Sequence, residues 1–420
     1  MARKFEVPAF YRSDFISEVK ALRVKHDPKR RDLSPSRLSF GEITFLIPRH
    51  FGFCYGVENA IHIAYRAIEE NPDKRVFLLS EMIHNPDVNR DLESRGVKFL
   101  MNTDGSSRIS FDELKAGDIV IIPAFGTTVE LQQELTARGI DPQFYDTTCP
   151  FVEKVWKRAE DLGKSGYTVV LHGKRAHEET RATFSHSKES APTLVVRDMN
   201  DTDVLIQFLK NELSIDDFYR IFDGAYSSGF DAEHDLKRIG VVNQTTMLAS
   251  ETQAIAEKIR AAMLSVYGEE NLNNHFADTR DTLCYATNEN QSAAINLLTH
   301  PLDIALVVGG YNSSNTSHLV ELAEDKVQTF YIKDAEEILS DKLIRHFDIH
   351  SKTIKETSNW LPLKDSLQIA LSSGASCPDV IIEDVIKRIL QIRDKAYQPK
   401  IALEILTTNL ETTNLTSRPA

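Results

Sequence analysis

The stretch DTTCPFVEKVWKRAEDLGKSGYTVVLHGKRAHEET, residues 146–180, sets a helix directly before a strand. Pro150 suits the first helical position, because the N–H it lacks is one that a helix start leaves unbonded anyway. YTVVLHG (167–173) is the strand that follows. The stretch opens on Cys149, between a threonine and a proline, and closes on His177-Glu178-Glu179-Thr180. A thiol thus stands at one helix start, and a His/Glu pair stands after the next strand.

The same alternation recurs on both sides. EITFLIP (42–48) reads as a strand and GVENAIHIAYRAIEE as the helix after it. RVFLLS, DIVIIPAF (118–125), RIGVVNQ (238–244) and LDIALVVGG (302–310) are further strands, and TQAIAEKIRAAML and CPDVIIEDVIKRILQIRDKA are helices. Strands alternating with helices predict an α/β architecture. No fixed-period repeat or low-complexity tract interrupts it. The pattern divides into a polar N-terminal leader (1–42), three α/β lobes (43–148, 149–282 and 283–395) and a C-terminal tail (396–420). The segment 197–237 reads as an irregular excursion in the second lobe, and the tail as polar and loose.

A chain of 420 residues, 41% hydrophobic and 26% charged, is ordinary for a soluble protein with a sizeable core. No run approaches the roughly 18 apolar residues that would cross a membrane. The leader has no apolar signal core, and its acidic residues argue against a transit peptide, so a cytoplasmic protein is expected. A net charge of −13 argues against nucleic-acid binding, which needs a basic face. It leaves room for a local nest of N–H groups and histidines that holds a small anion.

The four cysteines, Cys54, Cys149, Cys284 and Cys377, form no CxxC pair, and buried free cysteine is common. Their settings agree, however. Cys54 (HFGFCYGVENAI), Cys149 (YDTTCPFVEKV) and Cys284 (CYATNENQSAAINLL) each precede a helix, where unbonded N–H groups and the helix dipole should lower the thiol pKa. One such cysteine falls in each lobe, which suits a single shared metal site. Cys377 in SSGASCPDV also precedes a helix. Four ligands would make a closed site and three would leave an iron open, and spacing does not choose between them.

Polar loops follow several strands, where α/β folds bind ligands. They hold Gln244-Thr245-Thr246, Ser313-Ser314-Asn315 and Ser376. Any one could be a helix cap. Three together, with Gly309, Gly310 and Gly374 allowing close backbone approach, fit an anion cradle. His84 follows the RVFLLS strand, and His177 with Glu179 suits phosphate binding or proton transfer. HEET lacks the spacing of a zinc-protease HExxH.

With these pieces in place the chain resembles the LytB family, the 4-hydroxy-3-methylbut-2-enyl diphosphate reductases. The resemblance lies in GFCYGVENAI, IHNPDV, PAFG, DTTCPFVEKV, HGKRAHEET, NQTT, CYAT, VVGGYNSSNTSHLVELA and SSGASCPDVIIEDV, in the family's order from about residue 43 to 390. It implies three α/β lobes in pseudo-threefold arrangement around a central 4Fe-4S cluster, one per subunit. Cys54, Cys149 and Cys284 match the cluster ligands, and the fourth iron is open to the substrate hydroxyl. His84, Ser313, Asn315 and Ser376 match diphosphate-binding positions, with Ser314 beside them. His177 matches an active-site histidine, Glu179 the proton-supplying acid and Thr245 the hydroxyl that orients the allylic alcohol. The implied reaction is a two-electron reductive dehydroxylation giving isopentenyl and dimethylallyl diphosphates, the last step of the methylerythritol phosphate route. The implied partners are a small diphosphate substrate and a one-electron donor such as ferredoxin or flavodoxin, without nucleic acid or membrane. A homodimer is compatible with this, as no interface signature stands out.

Two departures accompany the resemblance. PAFG places Phe125 where many bacterial members have a diphosphate-contacting histidine, a trait shared with plant and cyanobacterial members. The chain is also longer than the short bacterial enzymes, in the leader and near 197–237. Cys377 stands where the family has a small residue, and a fourth thiolate would block the substrate's iron, so it is not expected to be a ligand. Two rivals are a different three-lobed cluster enzyme such as quinolinate synthase, and a redox sensor using all four cysteines. The first has other motif strings. The second gives no reason for Glu179, Thr245 and the anion loops to coexist.

Overall fold

The computed structural model describes residues 5–277, 279 and 282–416, the last four of these by backbone alone. Residues 1–4 of the leader, 278, 280 and 281 of the second lobe, and 417–420 of the tail lie outside the described residues. The strands, numbered along the chain, begin with β1 (Ser36–Phe40), β2 (Ile43–Ile47), β3 (Val76–Leu78), β4 (Lys98–Phe99) and β5 (Ile119–Ile121). There follow β6 (Thr168–His172), β7 (Thr193–Val196), β8 (Ile239–Asn243), β9 (Phe276–Ala277) and β10 (Ile304–Val308). The last are β11 (Thr329–Ile332), β12 (Leu343–Asp348), β13 (Thr353–Ser358) and β14 (Leu367–Ser373). They form three sheets, ordered β1-β2-β14-β10-β11-β12-β13, β4-β3-β5 and β7-β6-β8-β9, so the α/β class read from the sequence is the class of the structure.

The chain forms two compact units, one of Met1–Glu58, His84–Pro86 and Tyr285–Ala420, the other of Asn59–Ile83 and Asp87–Cys284. The first holds the seven-stranded sheet. Its central strands β2, β14, β10 and β11 are parallel and almost wholly buried, as suits their mainly apolar sequences in a sheet covered on both faces. Side chains alternate between two cores. Phe45, Ile47, Leu306 and Val308 meet the helix Asp379–Ile392, while Leu46, Ala305 and Val307 meet the helices Tyr285–Leu297 and Ser314–Glu324. The second unit holds the two smaller sheets, both parallel. Its larger core joins Val169, Leu171, Val241 and Ile239 to the helices Pro150–Lys164 and Ala249–Tyr267.

Four features depart from the sequence reading. β2 does not join the strands of 76–121 with which a lobe beginning at 43 would group it. It pairs with β14, Ile43 opposite Leu367. The leader is built into the fold: Ser13 caps the helix Asp14–His26 by accepting the Ile16 N–H at 2.9 Å, and Phe15, Ile16 and Val19 enter the core. The tail is not loose. Residues Pro399–Thr416 are helical and bury Ala402, Leu406 and Leu410, four residues apart, in the same core as Leu38 and Phe40. The excursion is helical over Met199–Leu209, Ile215–Ile221 and Ala232–Asp235, and it buries Leu205, Phe218, Phe222 and Phe230. In the leader, the tail and the excursion, a few apolar residues lie among polar neighbours and are enough to dock the segment. Among the described residues no helix is long and apolar enough to cross a membrane.

Candidate active site

In the second unit the loop Asp146–Cys149 is sewn to the end of β5. Thr147 donates its N–H and its hydroxyl to the Ile122 carbonyl at 3.1 and 2.6 Å, and the Cys149 N–H reaches the Ala124 carbonyl at 3.0 Å. Cys149 is the N-cap of the helix Pro150–Lys164, with proline at its first position as the sequence required. Asp146 accepts the Thr148 N–H at 2.8 Å, and burial pushes its pKa up against those bonds.

His177 caps the helix Glu178–Lys188. Its Nδ1 accepts the Glu179 N–H at 3.2 Å, so the neutral ring carries its proton on Nε2. Phe125 packs edge-on against the His177 ring, with centroids 5.5 Å apart. The phenyl group therefore supports an imidazole where it cannot itself donate a hydrogen bond.

Glu179 is 1% exposed, and its carboxylate accepts the Thr245 N–H at 2.5 Å. The Thr245 carbonyl in turn accepts the Cys284 N–H at 3.1 Å. Gln244 stitches the two loops together. Its Oε1 takes the Lys174 N–H and the Thr180 hydroxyl, and its Nε2 donates to Thr246. Glu178, which the sequence did not single out, is also buried and accepts the Ser80 hydroxyl.

The first unit carries the other candidates. Ser313 caps the helix Ser314–Glu324, its Oγ accepting the Thr316 N–H at 3.2 Å and the Thr316 hydroxyl at 2.9 Å. The Asn315 Oδ1 accepts the Ala375 N–H at 3.1 Å, which fixes its amide. Among the described residues, Ser314 Oγ and Asn315 Nδ2 are then buried without a hydrogen-bond partner, each residue 4% exposed. Two orphaned donors at a helix start are what an anion would satisfy. Ser376 donates to the His84 carbonyl at 3.1 Å, and a Cβ at Gly310 would strike that same carbonyl, so glycine is what lets the two loops meet. The Cys54 N–H bonds the Ala375 carbonyl at 3.2 Å, placing Cys54 beside the Asn315 and Ser376 loops.

One electrostatic expectation is overturned. Burial pushes the Cys54 thiol up, outweighing the Val57 and Gly56 N–H groups at its helix start, and Glu58 adds to the rise. Among the described residues none of the four cysteines forms a disulfide. Cys54, Cys149 and Cys284 are half-buried, whereas Cys377 is enclosed in the apolar core. Among the described residues no three His, Cys, Asp or Glu side chains converge as they would on a single metal ion.

Three α/β sheets, a buried acid and an anion-ready helix start define the scaffold of an α/β enzyme. Residues 45–390 match the family model described as LytB protein. The chain belongs to the LytB family. The 4-hydroxy-3-methylbut-2-enyl diphosphate reductase of a Synechococcus sp. is 41% identical over 358 residues, 85% of this chain and 87% of the relative. That of Crocosphaera subtropica is 40% identical over 352 residues, 84% and 85% of the two chains. A solved structure of (E)-4-hydroxy-3-methyl-but-2-enyl diphosphate reductase, the terminal enzyme of the non-mevalonate pathway, is 26% identical. It matches 83% of this chain and 99% of its own with a TM-score of 0.50. The fold is also that of the E-1-hydroxy-2-methyl-but-2-enyl-4-diphosphate reductase from Plasmodium falciparum, at 21% identity and a TM-score of 0.59 over 84% and 89% of the chains.

Proposed function

We propose that the chain is a 4-hydroxy-3-methylbut-2-enyl diphosphate reductase, an oxidoreductase that removes the allylic hydroxyl of its substrate. It acts at the last step of the methylerythritol phosphate route and releases isopentenyl and dimethylallyl diphosphates. The balance is two electrons and two protons in and one water out. One proton leaves with the hydroxyl, and the other adds to carbon.

Cys54, Cys149 and Cys284 would hold a 4Fe-4S cluster, one per subunit. The donor set fits: three half-buried thiols stand directly before helices, while Cys377 is shut in the core. A cubane takes its thiolates on separate irons, so its ligands need not crowd as around one ion. When bound, such a cluster supplies electrons singly and an open iron for the hydroxyl.

The chain's own residues do the rest. Ser314 Oγ and Asn315 Nδ2 bind the diphosphate at a helix start, with His84, Ser313 and Ser376 around them. Glu179 holds the proton that is delivered, the Thr245 hydroxyl orients the alcohol, and His177 presents its Nε2–H. A cytoplasmic one-electron donor protein such as ferredoxin or flavodoxin completes the reading. The observation that carries it is the hydrogen-bonded run from Glu179 through the Thr245 backbone to the Cys284 N–H, which ties a buried acid to the main chain of a candidate cluster ligand.

The test is anaerobic turnover of protein reconstituted with iron and sulfide, given a strong one-electron reductant and 4-hydroxy-3-methylbut-2-enyl diphosphate. Both five-carbon diphosphates are the expected products. Their absence from protein with an intact cluster would overturn the reading.

A further inference from the structure

The leader lies along the cysteine-bearing loop 51–55 of its own unit. Phe5 packs edge-on against Tyr55 with centroids 4.9 Å apart, and Tyr11 meets Phe53 at 6.0 Å. Lys20, on the helix Asp14–His26, places its ammonium 4.6 Å from the Phe51 ring centroid. The same ammonium bonds both carboxylate oxygens of Asp379, at 2.7 and 3.0 Å. Asp379 opens the helix that follows Ser376 and Cys377, so its charge also faces the positive end of that helix.

Gly52 is wedged between these two groups. Its φ is +75°, and a Cβ there would lie 2.6 Å from the Asp379 carboxylate and 3.1 Å from the Lys20 ammonium. The Gly52 N–H donates to the Ser373 hydroxyl at 3.1 Å, and the Cys54 N–H to Ala375. The loops bearing Cys54 and Ser376 therefore touch through backbone contacts, and a single ion pair closes the gap beside them. Lys20 is one-third exposed and Asp379 one-sixth, so the pair is only partly screened by water.

We propose that Lys20 is a positioning residue for Cys54: by clamping the Gly52 loop to the head of the helix Asp379–Ile392, the leader sets how the Cys54 and Ser376 loops are presented. The inference deepens the reading of Cys54 as a cluster ligand and Ser376 as a diphosphate contact. The ion pair and the ring contacts stand without that reading.

The test reads thiols in the cluster-free chain. Iodoacetamide labelling is followed peptide by peptide by mass spectrometry for wild type, Lys20→Met, Lys20→Arg, Asp379→Asn and the double variant. Lys20→Met should raise the Cys54 rate about fivefold, the factor a partly screened ion pair holds back, while Cys149 and Cys284 keep theirs. Lys20→Arg should restore it, and Lys20→Met with Asp379→Asn should add nothing to either alone. In cluster-loaded protein Lys20→Met should lose iron to a ferrous chelator faster than Lys20→Arg. An unchanged Cys54 rate in both single variants overturns the proposal. So does a common rise at all three cysteines, which would mean that the pair stabilises the fold without positioning Cys54. If Lys20→Met fails to fold, Asp379→Asn reads the same contact. Because the labelling uses neither substrate nor cluster, a failed turnover assay would leave the result standing.

Discussion

The Glu179 carboxylate accepts the Thr245 N–H at 2.5 Å while burying all but 1% of its residue surface. An amide oxygen can accept the same bond, so Glu179→Gln should keep the loop and lose the proton. Turnover is expected to fall about 100-fold or more with KM little changed, the pattern of a lost acid. Steady-state kinetics beside a thermal melt checks it, and an equal fall in melting temperature would point to structure instead.

Ser314 and Asn315 make the opposite kind of prediction. Ser314 Oγ has no partner to lose among the described residues, so Ser314→Ala should leave stability unchanged or slightly raised. Affinity for the diphosphate should fall about tenfold, the worth of one hydrogen bond to a charged group. Calorimetric titration with substrate or inorganic diphosphate measures this directly.

Cys377→Ala separates core from ligand. Its thiol lies among Ile381, Ile382 and their neighbours, so its loss should cost about 1 kcal/mol through a small cavity. Iron and sulfide content after reconstitution should be unchanged. In Cys149→Ser both should fall.

His50 gives a pH signature. Burial, then the charges of Arg49, Arg30 and Arg23, push its pKa down to about 4, against a smaller opposing pull from Asp27. Its Nδ1 also pairs with Glu289 at 3.2 Å. The unfolded chain, where histidine titrates near 6.5, therefore binds the proton first as pH falls. The stability in question is fully present above about pH 6.5 and drains as pH drops towards 4. Denaturant melts across that window should be flatter for His50→Asn, and equal slopes would refute the assignment.

Much of this was readable residue by residue. The parallel strands announced themselves because IALVV is apolar throughout and ITFLI is broken only by Thr44, and Cys149 with Pro150 marked a helix start without further help. The HEET and NQTT loops stood out as candidate chemistry, but not the bond between Glu179 and Thr245, whose partners lie far apart in the chain. Lys20 was invisible for the same reason: its partner Asp379 is 359 residues away, and no local pattern names a distant carboxylate. The helix Pro399–Thr416 was missed because the three buried side chains at its core contact sit among threonines, asparagines and glutamates. At Cys54 the helix-start rule pointed one way and desolvation the other, and how deeply a thiol is buried is not written in its neighbours.

The pairing of β2 with β14 has a consequence for biosynthesis. Ile43–Ile47 is five buried residues of sheet interior, and its partner Leu367–Ser373 leaves the ribosome some 300 residues later. At about 10 residues per second that is a wait of about half a minute. During it, β1 is the one neighbouring strand the growing chain can offer. A nascent chain of this protein carries a sticky, half-satisfied hairpin through that interval, and slowed translation or scarce chaperone should show first as aggregation of chains that stop short of β14.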